Sequence, residues 1–261
     1  MPNIPEVTLN NGNKMPLEGF GVWQVTDLDQ CEEAVLDALS SGYRLIDTAQ
    51  GYGNEQAVGK AISESPVDRS DIFLTTKVDP SNYSSKKTSY ENTKNSVLES
   101  LKKLQTNYLD LILLHAPLGD YNGGYQALEE LYQKGTLKAI GISNFGASRY
   151  VNFIKQIKVT PQVNQVETHV FYQRKDLKNA LKKYHTQMEA WSPLVSGQNN
   201  IFTNKTLVNI GKKYHKSAAQ VALKFLAQNQ IVIIPKSVHK NRIQENINIW
   251  DFQLSDTDMQ A

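Results

Sequence analysis

Leu109-Asp110-Leu111-Ile112-Leu113-Leu114-His115 is a short apolar run that closes on an imidazole. About four to eight residues is the length of a strand buried on both faces in a parallel sheet, too short for a core helix. Seven more such runs occur, at Glu18–Gly21, Arg44–Asp47, Ile72–Lys77, Ala139–Ser143, Gln162–Glu167, Gln187–Trp191 and Ile231–Pro235. Between them apolar residues recur at helical spacing. Cys31, Ala34, Val35, Ala38 and Leu39 share a face, as do Val97, Leu98, Leu101 and Leu104. Ala218, Val221, Ala222, Phe225 and Leu226 form a third face, behind a Ser217-x-x-Gln220 capping box. Eight strands, each followed by helix, predict a closed (β/α)8 TIM barrel, which takes about 250 residues. A doubly wound open sheet is the rival. Ahead of the first barrel strand, Asn11-Gly12 between Val7-Thr8-Leu9 and Lys14-Met15 signals a type I′ hairpin, expected to cap the barrel bottom.

The composition fits one large α/β unit. The chain has 261 residues, 40% of them apolar, and no linker, low-complexity tract or repeat, so residues 1–261 are read as a single domain. With 28 basic and 26 acidic side chains the net charge is only +2. The lysines are scattered over helix-like segments as on a solvated face, which argues against a nucleic-acid partner. Cys31 is the sole cysteine, so no intramolecular disulfide can form, and its periodic apolar setting marks it as core. No run approaches the length of a membrane span, and Met1–Glu6 does not read as a signal peptide. A cytoplasmic protein without membrane partners is expected, a monomer or weak homo-oligomer.

A barrel carries its chemistry at the C-terminal ends of its strands. That is where unusual polar residues fall: Asp47 ends the second strand, Lys77 the third, His115 the fourth, Ser143-Asn144 the fifth and Trp191 the seventh. Any one of these could be a satisfied core polar group; five strands ending this way is harder to dismiss. Other chemistries find little support. Gly53 to Lys60 misses a Walker loop by one residue, and Ala61 stands where the magnesium-binding hydroxyl belongs. Gly19-Phe-Gly21 begins a dinucleotide fingerprint but lacks its third glycine. The five histidines show no metal-binding spacing, and no G-x-S-x-G elbow is present.

Several motifs occur in a telling order. Asp47-Thr-Ala-Gln-Gly-Tyr-Gly-Asn-Glu55 is followed by Thr76-Lys77, Leu114-His115-Ala-Pro117 and Gly141-Ile-Ser-Asn-Phe145. Later come Asn164-Gln165-Val-Glu167, Glu189-Ala-Trp-Ser-Pro-Leu194, Ile234-Pro-Lys-Ser237 and Arg242-Ile-Gln-Glu-Asn246. In this order they resemble the aldo-keto reductase superfamily, most nearly its small members of the 2,5-diketogluconate and glyoxal reductase type. The resemblance runs from about Val7 to the end of the chain. It implies a (β/α)8 barrel that binds NADPH/NADP+ without a Rossmann fold and reduces small-molecule aldehydes and ketones to alcohols. A cofactor-binding module serving as redox sensor or regulatory subunit is the alternative.

Carried over by position, the resemblance makes Tyr52 the general acid, Lys77 and Asp47 its supporting pair, and His115 the orienting group. An ammonium beside a phenol favours phenolate, so Lys77 is expected to lower the Tyr52 pKa. For the cofactor, the resemblance implies that Ser143, Asn144 and Gln165 clamp the nicotinamide carboxamide and that Trp191 stacks on the ring. Ser192 and Leu194 run past the pyrophosphate. Lys236, Ser237 and Arg242 grip the 2′-phosphate, and Glu245 and Asn246 meet the adenine. No metal is implied. Ala116 stands where many relatives carry Trp or another large side chain, implying a wider substrate pocket, and Trp23 is either a pocket wall or barrel packing. Family members usually continue into a C-terminal tail over the substrate; with Ala261 as its last residue, the chain is expected to lack most of it.

Overall fold

The computed structural model describes residues 3–261; Met1 and Pro2, part of the segment read as no leader, lie outside the described residues. A hairpin comes first, β1 (Glu6–Thr8) and β2 (Lys14–Pro16). Eight strands follow: β3 (Phe20–Gly21), β4 (Leu45–Asp47), β5 (Phe73–Val78), β6 (Leu111–Leu114), β7 (Ile140–Ser143), β8 (Val163–Glu167), β9 (Gln187–Trp191) and β10 (Val232–Ile233). Each pairs in parallel with its sequence neighbours. The two edges then meet. Glu18 and Ile233 form a parallel bridge, and the Gly19 and Gly21 amides donate to Ile233 O (2.8 Å) and Pro235 O (3.1 Å). The sheet closes, as the strand count predicted, and the open-sheet alternative is excluded.

The helices cover the outside: α1 (Leu28–Ser41), α2 (Glu55–Glu64), α3 (Ser89–Lys103), α4 (Tyr121–Gln133), α5 (Ala147–Ile154) and α6 (Lys175–Lys183). Between β9 and β10 lie two, α7 (Lys205–Tyr214) and α8 (Ala218–Gln228), and after β10 come α9 (Lys240–Ile247) and the short α10 (Asp256–Gln260). Cys31, Ala34, Val35, Ala38 and Leu39 are all buried, pinning α1 to the barrel. Burial also pushes the Cys31 thiol up to about 11, the behaviour of an inert core residue. The capping box opens α8 as read: Ser217 Oγ accepts from the Gln220 amide, and Gln220 Oε1 accepts from the Ser217 amide.

Two readings are corrected. Leu98 is 44% exposed although Val97, Leu101 and Leu104 are buried. One residue beyond Val97 is 100° around a helix, which carries it off the packed face. The hairpin forms, but its turn is not type I′, which would need positive φ at both Asn11 and Gly12. Of the two only Gly12 is left-handed (φ +89°). The turn runs instead from Leu9 O to the Gly12 amide, with Gly12 as the bulge residue that rejoins the strands. The asparagines are occupied elsewhere: the side-chain amides of Asn10, Asn11 and Asn13 donate to Pro161 O and Lys138 O, just ahead of β8 and β7. Those bonds seat the hairpin across the barrel bottom, leaving the opposite mouth to the loops that follow the strands.

Candidate active site

Asp47, Tyr52, Lys77 and His115 come from three different strand ends and meet at the mouth. Lys77 Nζ donates to Asp47 Oδ1 (2.5 Å), to Thr48 O (3.0 Å) and to Tyr52 Oη (3.3 Å). The Tyr52 and His115 rings stand edge to face with centroids 5.6 Å apart. Lys77 and Asp47 are almost fully buried, whereas Tyr52 and His115 are half-buried and open to the mouth. The imidazole nitrogens of His115 hold no hydrogen bond among the described residues.

Local sequence explains how the phenol is aimed. Tyr52 ends a single 3-10 turn, Gln50–Tyr52, and Gly53 closes it at φ +70°, a conformation that favours glycine. Gln50 ties that turn to its neighbours: its Oε1 accepts from the Asp79 amide (2.9 Å), and its Nε2 donates to Ser96 O and Ser100 Oγ. Buried Asn54 donates to Val22 O and Val25 O, holding the loop that carries Trp23. Glu55, also buried, accepts from Thr76 Oγ1 (2.7 Å) next to Lys77. The sequence reading assigned no role to Gln50, Asn54 or Glu55, although all three lie inside the Asp47–Glu55 motif. Their signal was present as polar residues flanking a strand end, but only tertiary contacts show what they hold.

The electrostatics differ from expectation at one point. Burial raises the Tyr52 pKa, and Asp47 adds to the rise; Lys77 opposes both but does not overcome them. The phenol is therefore protonated at neutral pH, with the ammonium placed to stabilise phenolate once it forms. For Lys77, burial works against the charge, yet Asp47 and Tyr52 outweigh it and hold the ammonium above its ordinary value. Burial, and then the Lys77 charge, push the His115 imidazole down to about 4, so it is neutral. Asp47 is pulled up by desolvation against the lowering influence of Lys77 and Gln165.

Ser143, Asn144, Gln165 and Trp191 assemble beside this group. Asn144 is left-handed (φ +65°), a conformation asparagine tolerates. It donates to His115 O (3.0 Å) and accepts from Trp191 Nε1 (2.9 Å). Ser143 Oγ donates to Gln165 O (2.8 Å). Gln165 Nε2 donates to Asp47 Oδ2 (2.8 Å) and to Glu189 Oε2 (3.0 Å). From Trp191 the chain passes through Ser192 and Val195, both left-handed, the β-branched Val195 being the more strained. Ser192 Oγ and Ser196 Oγ bond across that turn (3.0 Å).

Leu194, Lys236, Ser237, Arg242, Glu245 and Asn246 line one cleft. Sequence reading had missed Phe202, Ser217, Ala218, Ala219 and His239, which line it too. Their presence brings the N-termini of both α8 and α9 to the cleft, with positive dipole ends and unpaired amides. Lys236 and Arg242 have no acidic partner among the described residues. Two cations and two helix N-termini on one cleft fit the phosphates of a dinucleotide. Ser192 is not among the lining residues. Trp23 is 47% exposed on the loop after β3, which places it at the mouth rather than in barrel packing. Ala116 is half-buried, its backbone held by the Tyr83 hydroxyl.

Comparison with known proteins agrees with this arrangement. The model of the aldo/keto reductase family matches residues 19–261. Glyoxal reductase of Bacillus subtilis is 43% identical over 254 residues, covering 97% of this chain and 90% of the relative. A crystal structure of an aldo/keto reductase from Brucella melitensis superposes with a TM-score of 0.94 at 41% identity, covering 100% of this chain and 97% of that one. A Bombyx mori aldo-keto reductase in complex with NADP gives a TM-score of 0.91 at 30% identity, covering 100% of this chain and 92% of that one. With the closed barrel, the Asp47–Lys77–Tyr52 chain at its mouth and a family match from the first barrel strand to the last residue, the chain belongs to the aldo/keto reductase family of oxidoreductases.

Proposed function

We propose that this chain reduces aldehyde and ketone carbonyls with NADPH, that Tyr52 is the proton donor, and that small 2-oxoaldehydes such as glyoxal and methylglyoxal are the favoured substrates. The cofactor is NADP(H), which when bound supplies hydride to the carbonyl carbon. The single observation that carries the reading is the Tyr52 hydroxyl at the mouth, 3.3 Å from the buried Lys77 ammonium that Asp47 holds. His115, neutral, donates a ring N–H to the carbonyl oxygen and orients it. As negative charge grows on that oxygen, Tyr52 Oη transfers its proton to it. Lys77 then faces a phenolate, and the attraction across a water-poor site offsets the energy of ionising the phenol. Asp47 keeps the ammonium charged and fixed. Proton return from water restores the phenol.

Ser143, Asn144 and Gln165 hold the carboxamide, Trp191 packs on the nicotinamide ring, and Ser192 and Leu194 border the pyrophosphate. Lys236, Ser237 and Arg242 hold the 2′-phosphate, with Glu245 and Asn246 at the adenine. Trp23 and Ala116 wall the substrate side, where the alanine leaves room. The enzyme is proposed to work in the cytoplasm as a monomer or weak homo-oligomer; among the described residues no helix is long and apolar enough to cross a membrane. The supporting relative for the substrate class is the Bacillus subtilis glyoxal reductase.

The test is NADPH oxidation with methylglyoxal, glyoxal and aromatic aldehydes, in wild type and Tyr52→Phe. Turnover by the wild type separates an enzyme from a cofactor-binding sensor. Tyr52→Phe should bind NADPH unchanged and lose about 10²–10⁴-fold in reduction, the usual worth of general acid catalysis. Retention of more than about a tenth of the rate would remove Tyr52 from that role.

A further inference from the structure

Glu189 lies in mid-strand on β9, fully buried, and the chemistry above makes no use of it. It is paired in register with Gln165 on β8. Its Oε2 accepts from Gln165 Nε2, while its Oε1 has no hydrogen-bond partner among the described residues and is sealed from solvent. The same Gln165 nitrogen donates to Asp47 Oδ2. One amide NH2 thus bridges two buried carboxyls, and Lys77, the one ammonium in reach among the described residues, is committed to Asp47. Two carboxylates beside a single cation would leave an uncompensated buried charge, so one of them must carry a proton. Desolvation and the Asp47 charge both raise the Glu189 pKa, which marks it as the protonated member.

An amide side chain has two donors and one acceptor. With both hydrogens of Gln165 spent on Asp47 and Glu189, its orientation is fixed by the ionised partner: the flipped amide would set its oxygen against the Asp47 carboxylate and lose the charge-assisted bond from Nε2. Gln165 Oε1, without a partner among the described residues, is then the only polar atom of that side chain left for a ligand. We infer that Glu189 is a positioning residue which, together with Asp47, clamps the Gln165 amide so that Oε1 is offered as an acceptor to a ligand N–H donor. The ligand group of that chemistry is the carboxamide NH2 of the nicotinamide, so the inference rests on the NADPH reading given above. Glu189 touches neither cofactor nor substrate. It selects for the carboxamide through Gln165.

The experiment compares equilibrium dissociation constants, by calorimetric titration, for NADPH and its 3-acetylpyridine analogue. In the analogue a methyl ketone replaces the carboxamide, keeping the oxygen and losing the N–H donor. Wild type should bind the analogue about 3- to 10-fold more weakly, the scale of one net hydrogen bond. Glu189→Leu should bring the two constants to within about 2-fold. Glu189→Gln, which can again offer an acceptor oxygen to Gln165, should restore the discrimination. If Glu189→Leu does not fold, Glu189→Ala is read in the same way. Full discrimination retained in the folded Leu or Ala variant overturns the inference, as does its absence in wild type. Failure of wild type to oxidise NADPH with any carbonyl would instead defeat the functional reading, so the two failures are distinct.

Discussion

Replacing Lys77 with methionine tests the buried ion pair and the chemistry together. The Lys77 and Asp47 side chains are 1% and 2% exposed, so neither regains water when its partner is removed. Loss of one member of such a pair costs about 3–5 kcal/mol, because the other charge stays buried without compensation. In a protein of this size about 1 kcal/mol moves Tm by about 2–4 °C, so Lys77→Met should melt about 6–20 °C below wild type. The double variant Asp47→Asn/Lys77→Met removes both charges, and neutral replacement of a buried pair is often close to energetically neutral. It should recover most of the lost stability and none of the carbonyl reduction, since the phenol still lacks its ammonium. The pH dependence has a definite sign. Burial already raises the Asp47 pKa, and without Lys77 the chief lowering influence is gone, so it rises further. A carboxyl with a folded pKa above its unfolded value of about 3.9 contributes stability that is complete below that value and lost as pH rises through the folded pKa. The deficit of Lys77→Met against wild type should therefore be larger at about pH 8 than at about pH 5. Thermal and urea unfolding of all three proteins at both pH values provides the measurement. A single variant as stable as the double one at the higher pH, or a deficit that shrinks as pH rises, would refute the reasoning.

Three further outcomes are expected. Arg242→Ala should raise KM for NADPH about 10- to 150-fold and leave NADH nearly unaffected, because a lost charge-assisted contact costs about 1.5–3 kcal/mol and NADH has no 2′-phosphate; equal losses would place that phosphate elsewhere. With His115 held at about 4, the wild-type rate should show no imidazole ionisation near neutrality and should fall as pH drops through that value. His115→Asn should then lower the rate by one constant factor across the neutral range, and an inflection near pH ~6.5 that vanishes in this variant would show the imidazole to be titrating there. Trp191→Phe should lose much of the tryptophan quenching caused by NADPH, and Trp191→Ala should weaken cofactor binding by about 0.5–1.5 kcal/mol; full quenching in the Phe variant would rule out stacking.

The strand-and-helix alternation determined the barrel before any contact was known. An apolar run bounded by polar residues is a local pattern, and eight such runs separated by helices have few ways to bury both faces of a parallel sheet. The same pattern put Asp47, Lys77, His115 and Trp191 at one end, because strand ends are visible in sequence and all parallel strands end on the same side. Three things lay beyond its reach. Leu98 faces solvent because helical phase, rather than apolarity, assigns faces. The turn at Asn11-Gly12 changed type because the asparagine side chains bond to backbone ahead of β7 and β8, more than a hundred residues away. The protonation of the site also had to come from the tertiary structure. The family resemblance put an ammonium near a phenol and implied a lowered pKa; burial together with Asp47 reversed the net direction. Glu189 shows the same limit most plainly. In sequence it is a glutamate inside an apolar strand, and its meaning depends on how many charges share one dry interior, a sum that closes only when the barrel sets the β4–β5 pair and the β8–β9 pair facing each other across that interior.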